Sequence, residues 1–345
     1  MDTGLITNQA NPGPWRGIPA NLVTLAIVVA FVAIPASATA ATTCRVRNED
    51  SGARYTRVRA AVRTAAPDDT LLLKGTCHER ISIREDLFIE GVRTATSGRP
   101  TLDGDGEGIV VKVATGSDVA VSKLTIRGGA SSAAGVVNRG GLLLIDVIVS
   151  GNAGGGLYNG SAGHLRLDGR TKVHANTADV GGGVFNEGVL TLYGRTRISH
   201  NTADQGGGVY SSGNFYLYDS ATVRDNWATE GGGVYSSDDI WMRDSATVRD
   251  NRAEDGGGVY STGDLSMEDS SSISDNTATA DGGGLGIWDT LRMNDSSSIH
   301  DNTADRGGGL IAYSGVLVYV RCGPAADANV RDNAPDDCYL VGLGD

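Results

Sequence analysis

The chain has 345 residues, 50 of them glycine, with a formal net charge of −12 and a pI near 4.8. The length allows a large core or a long stack, and glycines grouped in triplets at wide intervals exclude the collagen pattern. The acidic balance, with no basic patch evident in the sequence, argues against a nucleic-acid partner and leaves cation binding open.

Taken in chain order, the first element is an apolar run, "LVTLAIVVAFVAI" from Leu22 to Ile34, short for a bilayer span. Two small-x-small cleavage patterns follow, Ala36-Ser37-Ala38 and Ala38-Thr39-Ala40. Residues 1–40 are therefore expected to be a cleaved export signal, with an uncleaved anchor as the alternative. Its basic region is weak, since Arg16 is opposed by Asp2. Export places the rest outside the cell or on its surface, with no membrane span after cleavage. The four cysteines fit an oxidising compartment. Three connectivities are possible. The sequence-local pairs, Cys44 with Cys77 and Cys322 with Cys338, are expected because each brackets an end of the chain. A zinc site is the rival, but no C-x-x-C or close His pair accompanies them.

Next, "YTRVRAAVRTAA" puts Val58, Ala61, Val62 and Ala65 on one helical face and predicts a short capping helix. "DDTLLLKGTCHERISIREDLFIEG" and "VAVSKLTIRGG" predict irregular first coils, so residues 41–135 form a cap helix with these coils. Regular coils are expected over 136–320, and a disulfide-closed C-terminal cap over 321–345.

The regular part repeats. Triple glycines begin at Gly154, Gly181, Gly206, Gly231, Gly256, Gly282 and Gly307, with steps of 27, 25, 25, 25, 26 and 25. A period of that size means a solenoid or a propeller. Each unit contains three short strands, seen as "GGVYS", "NFYLYD" and "ATVRDN", where a propeller blade would carry four. Aliphatic residues recur at fixed positions, such as Leu165, Leu190, Phe215, Ile240, Leu265 and Leu291. Such columns are what stacking in register requires, so the predicted fold is an all-β, three-sided parallel β-helix rising about 4.8 Å per coil. The glycines supply positive φ and close approach between coils. Asn152, Asn176, Asn201, Asn226, Asn251, Asn276 and Asn302 form a column whose amides can bond from coil to coil.

Three surface columns carry candidate chemistry. Asp219, Asp244, Asp269 and Asp295 stack, either as calcium ligands between coils or as turn carboxylates bonded to local backbone. Calcium is thus a possible ligand; no other cofactor is indicated. Tyr193, Tyr216, Tyr218 and Trp241 stand on the second strand, and Tyr210, Tyr235 and Tyr260 on the first. Stacked rings either shield the sheet or offer a platform to sugar rings or a partner surface. The five histidines share no column, and no acid–base constellation breaks the repeat.

The succession of cap helix, "APDDTLLLKGTCHERISI", "LTIRGG" and "GGGVY" coils resembles exported right-handed parallel β-helix proteins of the pectate-lyase-like superfamily. The unit itself, Val223-x-x-Asn226 followed by Gly231-Gly232-Gly233-Val234, is similar to the repeat of polymorphic outer-membrane proteins. The resemblance covers residues 54–338. It departs where that repeat carries Phe and this chain Val or Ile, and in lacking a membrane barrel. It implies a right-handed coil, and either an adhesin-like scaffold that binds carbohydrate or cell-surface ligands or an enzyme cleaving acidic polysaccharide. The Asn-Thr-Asp, Gly-His-Gly and Arg-x-Lys signatures of the hydrolases are absent. The scaffold reading is therefore favoured, and the irregular coils of residues 76–135 are where a catalytic cleft could lie.

Overall fold

The computed structural model describes residues 43–94, 98–313, 318–323 and 328–341. The expected export signal, residues 1–40, lies outside them. The rest is an all-β parallel solenoid with one short helix among the described residues. Most strands are three residues long, shorter than the sequence segments suggest: Val209–Ser211, Phe215–Leu217 and Thr222–Arg224 in one coil. Each pairs in parallel with its counterpart one repeat away, as Val209↔Val234, Phe215↔Ile240 and Val223↔Val248.

The described strands accordingly gather into three long sheets of 11, 13 and 11 strands, called here the first, second and third after their order within a coil. A further two-stranded pair joins Arg252–Ala253 and Thr277–Ala278. Register within a sheet turns sequence columns into physical ones. Val223, Val248 and Ile273 on the third sheet, and Phe215, Ile240 and Leu265 on the second, are at most 1% exposed. Alternation along each short strand sends their neighbours outward.

The corners need glycine for two reasons. Gly206, first of its triplet, has φ +63°, a region that other residues enter at a cost. At Gly208, third of the triplet, an added Cβ would lie 2.5 Å from the Gly233 carbonyl oxygen of the next coil. The triplet therefore combines one left-handed residue with a close passage of backbones.

At the N-terminal edge of the second sheet, Arg45–Asn48 pairs antiparallel with Asp69–Lys74 and with Arg54–Tyr55. The helix Val58–Thr64 buries Val58, Ala61 and Val62 against Ile81–Ile83 and the first strands. Its first two amides, of Val58 and Arg59, donate to the Glu79 carboxylate at 2.9 and 3.0 Å, which replaces a local cap. The disulfides Cys44–Cys77 and Cys322–Cys338 are both formed. Among the described residues no helix is long and apolar enough to cross a membrane.

Candidate functional site

The asparagine column lies just past the third-sheet strands, and its members from Asn152 to Asn302 are at most 2% exposed. Asn226 shows the pattern. Its Nδ2 donates to Asn251 Oδ1 at 3.0 Å and to the Ile198 carbonyl at 3.1 Å, and its Oδ1 accepts from the Asn201 amide N and Nδ2, both at 3.0 Å. The same contacts carry the column to Asn333, where the Asp337 carboxylate takes the next two donors at 3.0 and 3.1 Å. A second buried ladder, not recognised in the sequence, runs through Asn138, Asn159 and Asn186 to Ser211, with links of 2.8, 2.7 and 2.9 Å.

Asp219, Asp244, Asp269 and Asp295 sit in left-handed turns at φ between +55° and +58°. Each side chain accepts the amide of the preceding coil: Gly194 on Asp219 at 2.8 Å, Asp219 on Asp244 at 2.9 Å, Asp244 on Asp269 at 3.1 Å and Asp269 on Asp295 at 3.4 Å. One oxygen of each carboxylate is thus engaged by backbone, and a cation would have to share it.

Register brings the aromatic residues into two stacks. On the first sheet Tyr158, Phe185, Tyr210, Tyr235 and Tyr260 follow one another at centroid spacings of 5.5, 5.0, 5.1 and 5.4 Å. On the second sheet Tyr216 stacks on Trp241 at 4.6 Å and lies 6.0 Å from Tyr218, which in turn neighbours Tyr193 at 5.1 Å. The Arg166 guanidinium covers Tyr193 at 4.0 Å. On the first sheet Phe185, Tyr210 and Tyr235 each have a ring neighbour on either side, whereas Tyr216 has Trp241 in the following coil and Thr191 in the preceding one. The ring stacks end where the register partner is not aromatic. Trp241 is followed in register by Ser266, Tyr260 by Gly286, and Tyr158 is preceded by Val137. Beyond Gly286, Trp288 donates from its indole N–H to the Tyr260 hydroxyl at 2.8 Å and stacks on Tyr313 at 4.0 Å. Burial, and then the Glu230 carboxylate, push the Tyr235 phenol pKa up; a bond to Glu187 and burial do the same for Tyr158.

Within the irregular coils the fold assembles His78, Asp103 and Asp105, whose potential ligand atoms lie within 4.8 Å of one another. The sequence columns missed this group because Asp105 stands two positions beyond the register pair His78↔Asp103. His78 Nδ1 lies 2.7 Å from Asp105 Oδ1, on the surface. Asp103 is nearly buried and already paired, at 2.7 Å, with Arg127 Nε. These residues could hold a metal ion or a proton, but the Arg127 charge weakens the site for a cation.

The fold also corrects the expectation of no basic patch. Arg59, Arg63, Arg80, Arg84 and Lys112 line one cleft with a single acidic residue, Glu85. They are spread over more than fifty positions among intervening carboxylates, so no linear run announces them.

No family model, curated protein or solved structure matches the chain. What is established is a β-solenoid with two disulfides; no match supports the resemblance to pectate-lyase-like or outer-membrane repeat proteins.

Proposed function

We propose that the protein is an exported, rigid extracellular scaffold that binds carbohydrate or cell-surface ligands, in the manner of an adhesin. On this reading the three sheets are the sides of a right-handed β-helix, the usual hand of crossovers between parallel strands. The helix Val58–Thr64 is its N-terminal cap. The single observation that carries the proposal is that register repeats one surface coil after coil, with rings stacked in columns that stop where a non-aromatic residue takes the register position. Tyrosine and tryptophan join an apolar face to a polar edge, which suits a sugar ring that itself has both. The ligand contacts are thus Trp241 and Tyr158, with Tyr193, Tyr210, Tyr216, Tyr218, Tyr235 and Tyr260 as the supporting stacks. A polysaccharide lyase or hydrolase is the second reading, favoured by one observation: His78, Asp105 and Asp103 depart from the repeat.

Binding of the full chain to a panel of neutral and acidic glycans tests the proposal. Trp241→Ala should weaken binding about tenfold, as loss of a face contact worth ~1.4 kcal/mol would. Tyr210→Ala, inside a stack, should lower the unfolding midpoint and leave affinity nearly unchanged. Equal affinity of Trp241→Ala and wild type on every bound glycan would remove the support for an aromatic platform.

A further inference from the structure

The cleft beneath the helix has a volume of about 950 Å³ and is lined by Arg59, Arg63, Arg80, Arg84, Lys112 and Glu85 together with apolar residues. Five basic against one acidic residue gives the lining a formal charge of +4, within a chain whose total is −12. Three elements make it. Arg59 and Arg63 lie four apart on the helix, so they share a face. Arg80 and Arg84 flank the strand Ile81–Ile83, and Lys112 is the outward residue of the next strand, Val111–Val113. Arg80 is engaged by Glu107, through its carbonyl oxygen and, at 3.8 Å, its carboxylate. Arg59 donates to the Arg80 carbonyl at 3.1 Å. Arg63, Arg84 and Lys112 have no ion-pair partner among the described residues.

The cleft leads into the aromatic stack. Ser82, Lys112, Val137, Tyr158 and Phe185 are successive register neighbours on the first sheet. A shelf of about 280 Å³ lies beside the cleft, lined by Lys112, Val137, Arg139, Tyr158, Phe185 and other residues. The far end of the stack has the opposite surroundings: the Glu230, Asp255 and Asp281 carboxylates, after burial, push the Tyr260 phenol pKa up. The first-sheet stack thus begins beside the basic cleft, where Tyr158 donates to Glu187 at 2.7 Å, and ends among carboxylates.

We infer that this cleft binds a tetrahedral oxyanion ester, sulfate or phosphate, carried on a glycan whose neighbouring sugar lies on the Tyr158 shelf. Guanidinium forks match such oxyanions in bidentate fashion. With Arg80 paired to Glu107, the lining still sets Arg59, Arg63, Arg84 and Lys112 against Glu85, which calls for more than one negative charge in a small volume. A uronic acid brings one negative charge per sugar, and so does a single sulfate ester; a phosphate monoester brings up to about two, and a sugar sulfated at several hydroxyls brings several. The inference rests on the proposed glycan binding for the sugar but not for the charge.

The test measures binding of the full chain to dextran sulfate, a phosphorylated dextran, unmodified dextran, polygalacturonate and a single-stranded oligothymidylate at fixed ionic strength. Dextran sulfate or phosphorylated dextran should bind at least about tenfold more tightly than the other three, and raising the salt should weaken it. The arm that binds more tightly names the ester. The double variant Arg63→Gln/Arg84→Gln should lose about tenfold or more, the size of a lost charge-assisted bond. Lys112→Gln, on a rigid strand, should lose affinity as well and guards against a displaced helix. Equal binding by wild type and both variants, or equal affinity for polygalacturonate or the oligonucleotide, would overturn the inference. If the arginine variants lose the ester while Trp241→Ala keeps every neutral glycan, the cleft stands and the aromatic platform falls. The reverse pattern separates them the other way.

Discussion

At the scale of single residues, two kinds of polar column have opposite energetics. Asn226 is buried and uses both amide hydrogens and both oxygen lone pairs within the ladder. Asn226→Ala strips partners from the asparagines above and below, and should cost roughly 3 kcal/mol in denaturant unfolding, since buried unsatisfied groups are costly. Asp244 is exposed and turns left-handed at φ +58°. Asp244→Asn keeps both the turn preference and an acceptor, so its stability should stay within about 0.5 kcal/mol of wild type. The Asn column was legible because the same residue is demanded at every coil. The ladder through Asn138, Asn159 and Asn186 was not, because Ser211 takes over the position and breaks the pattern of identity.

His174 adds a pH dependence. Burial, then the nearby charges of Lys172 and His200, hold its imidazole pKa below the ordinary 6.5. The folded state thus binds fewer protons than the unfolded one between the lowered value and 6.5. Stability rises with pH across that window, is complete above 6.5 and falls as the medium is acidified. A proton NMR titration should place the His174 midpoint below 6.5, and His174→Asn should flatten the slope of stability there.

At the scale of elements, the sequence showed the strand columns, the helix Val58–Thr64 and both disulfides, but not the antiparallel strand at the N-terminal edge. Leu165, Leu190, Phe215 and their successors are the buried row expected of them, because parallel register repeats the same environment every coil. The strands proved shorter than their sequence segments since the turns at Asp219 and Asp225 claim the flanking residues. The antiparallel strand Arg45–Asn48 was not read at all: four residues with two arginines carry too little alternation to declare a strand. The basic cleft was equally illegible. Its charges come from a helix and two strands, and within the sequence Glu79 and Glu85 dilute each contribution.

At the scale of the whole molecule, register is the property that joins fold and function. It aligns the apolar interior, the amide ladders and the rings with one periodicity, and on the proposed function a ligand meets the rings where a column changes identity. Val137 before Tyr158 and Ser266 after Trp241 are such places. Aromatic columns in the sequence told where rings stack but not where the stacks stop, because that depends on the register partner beyond the last ring, Val137, Ser266 or Gly286. On the proposed function this surface binds glycan without cleaving it. The most direct measurement incubates the full chain with plant and bacterial polysaccharides, with and without calcium, and follows bound glycan and new reducing ends together. The account predicts binding to at least one glycan with no reducing ends released. Release that is abolished by His78→Ala or Asp105→Ala would contradict it and make the irregular coils a catalytic site.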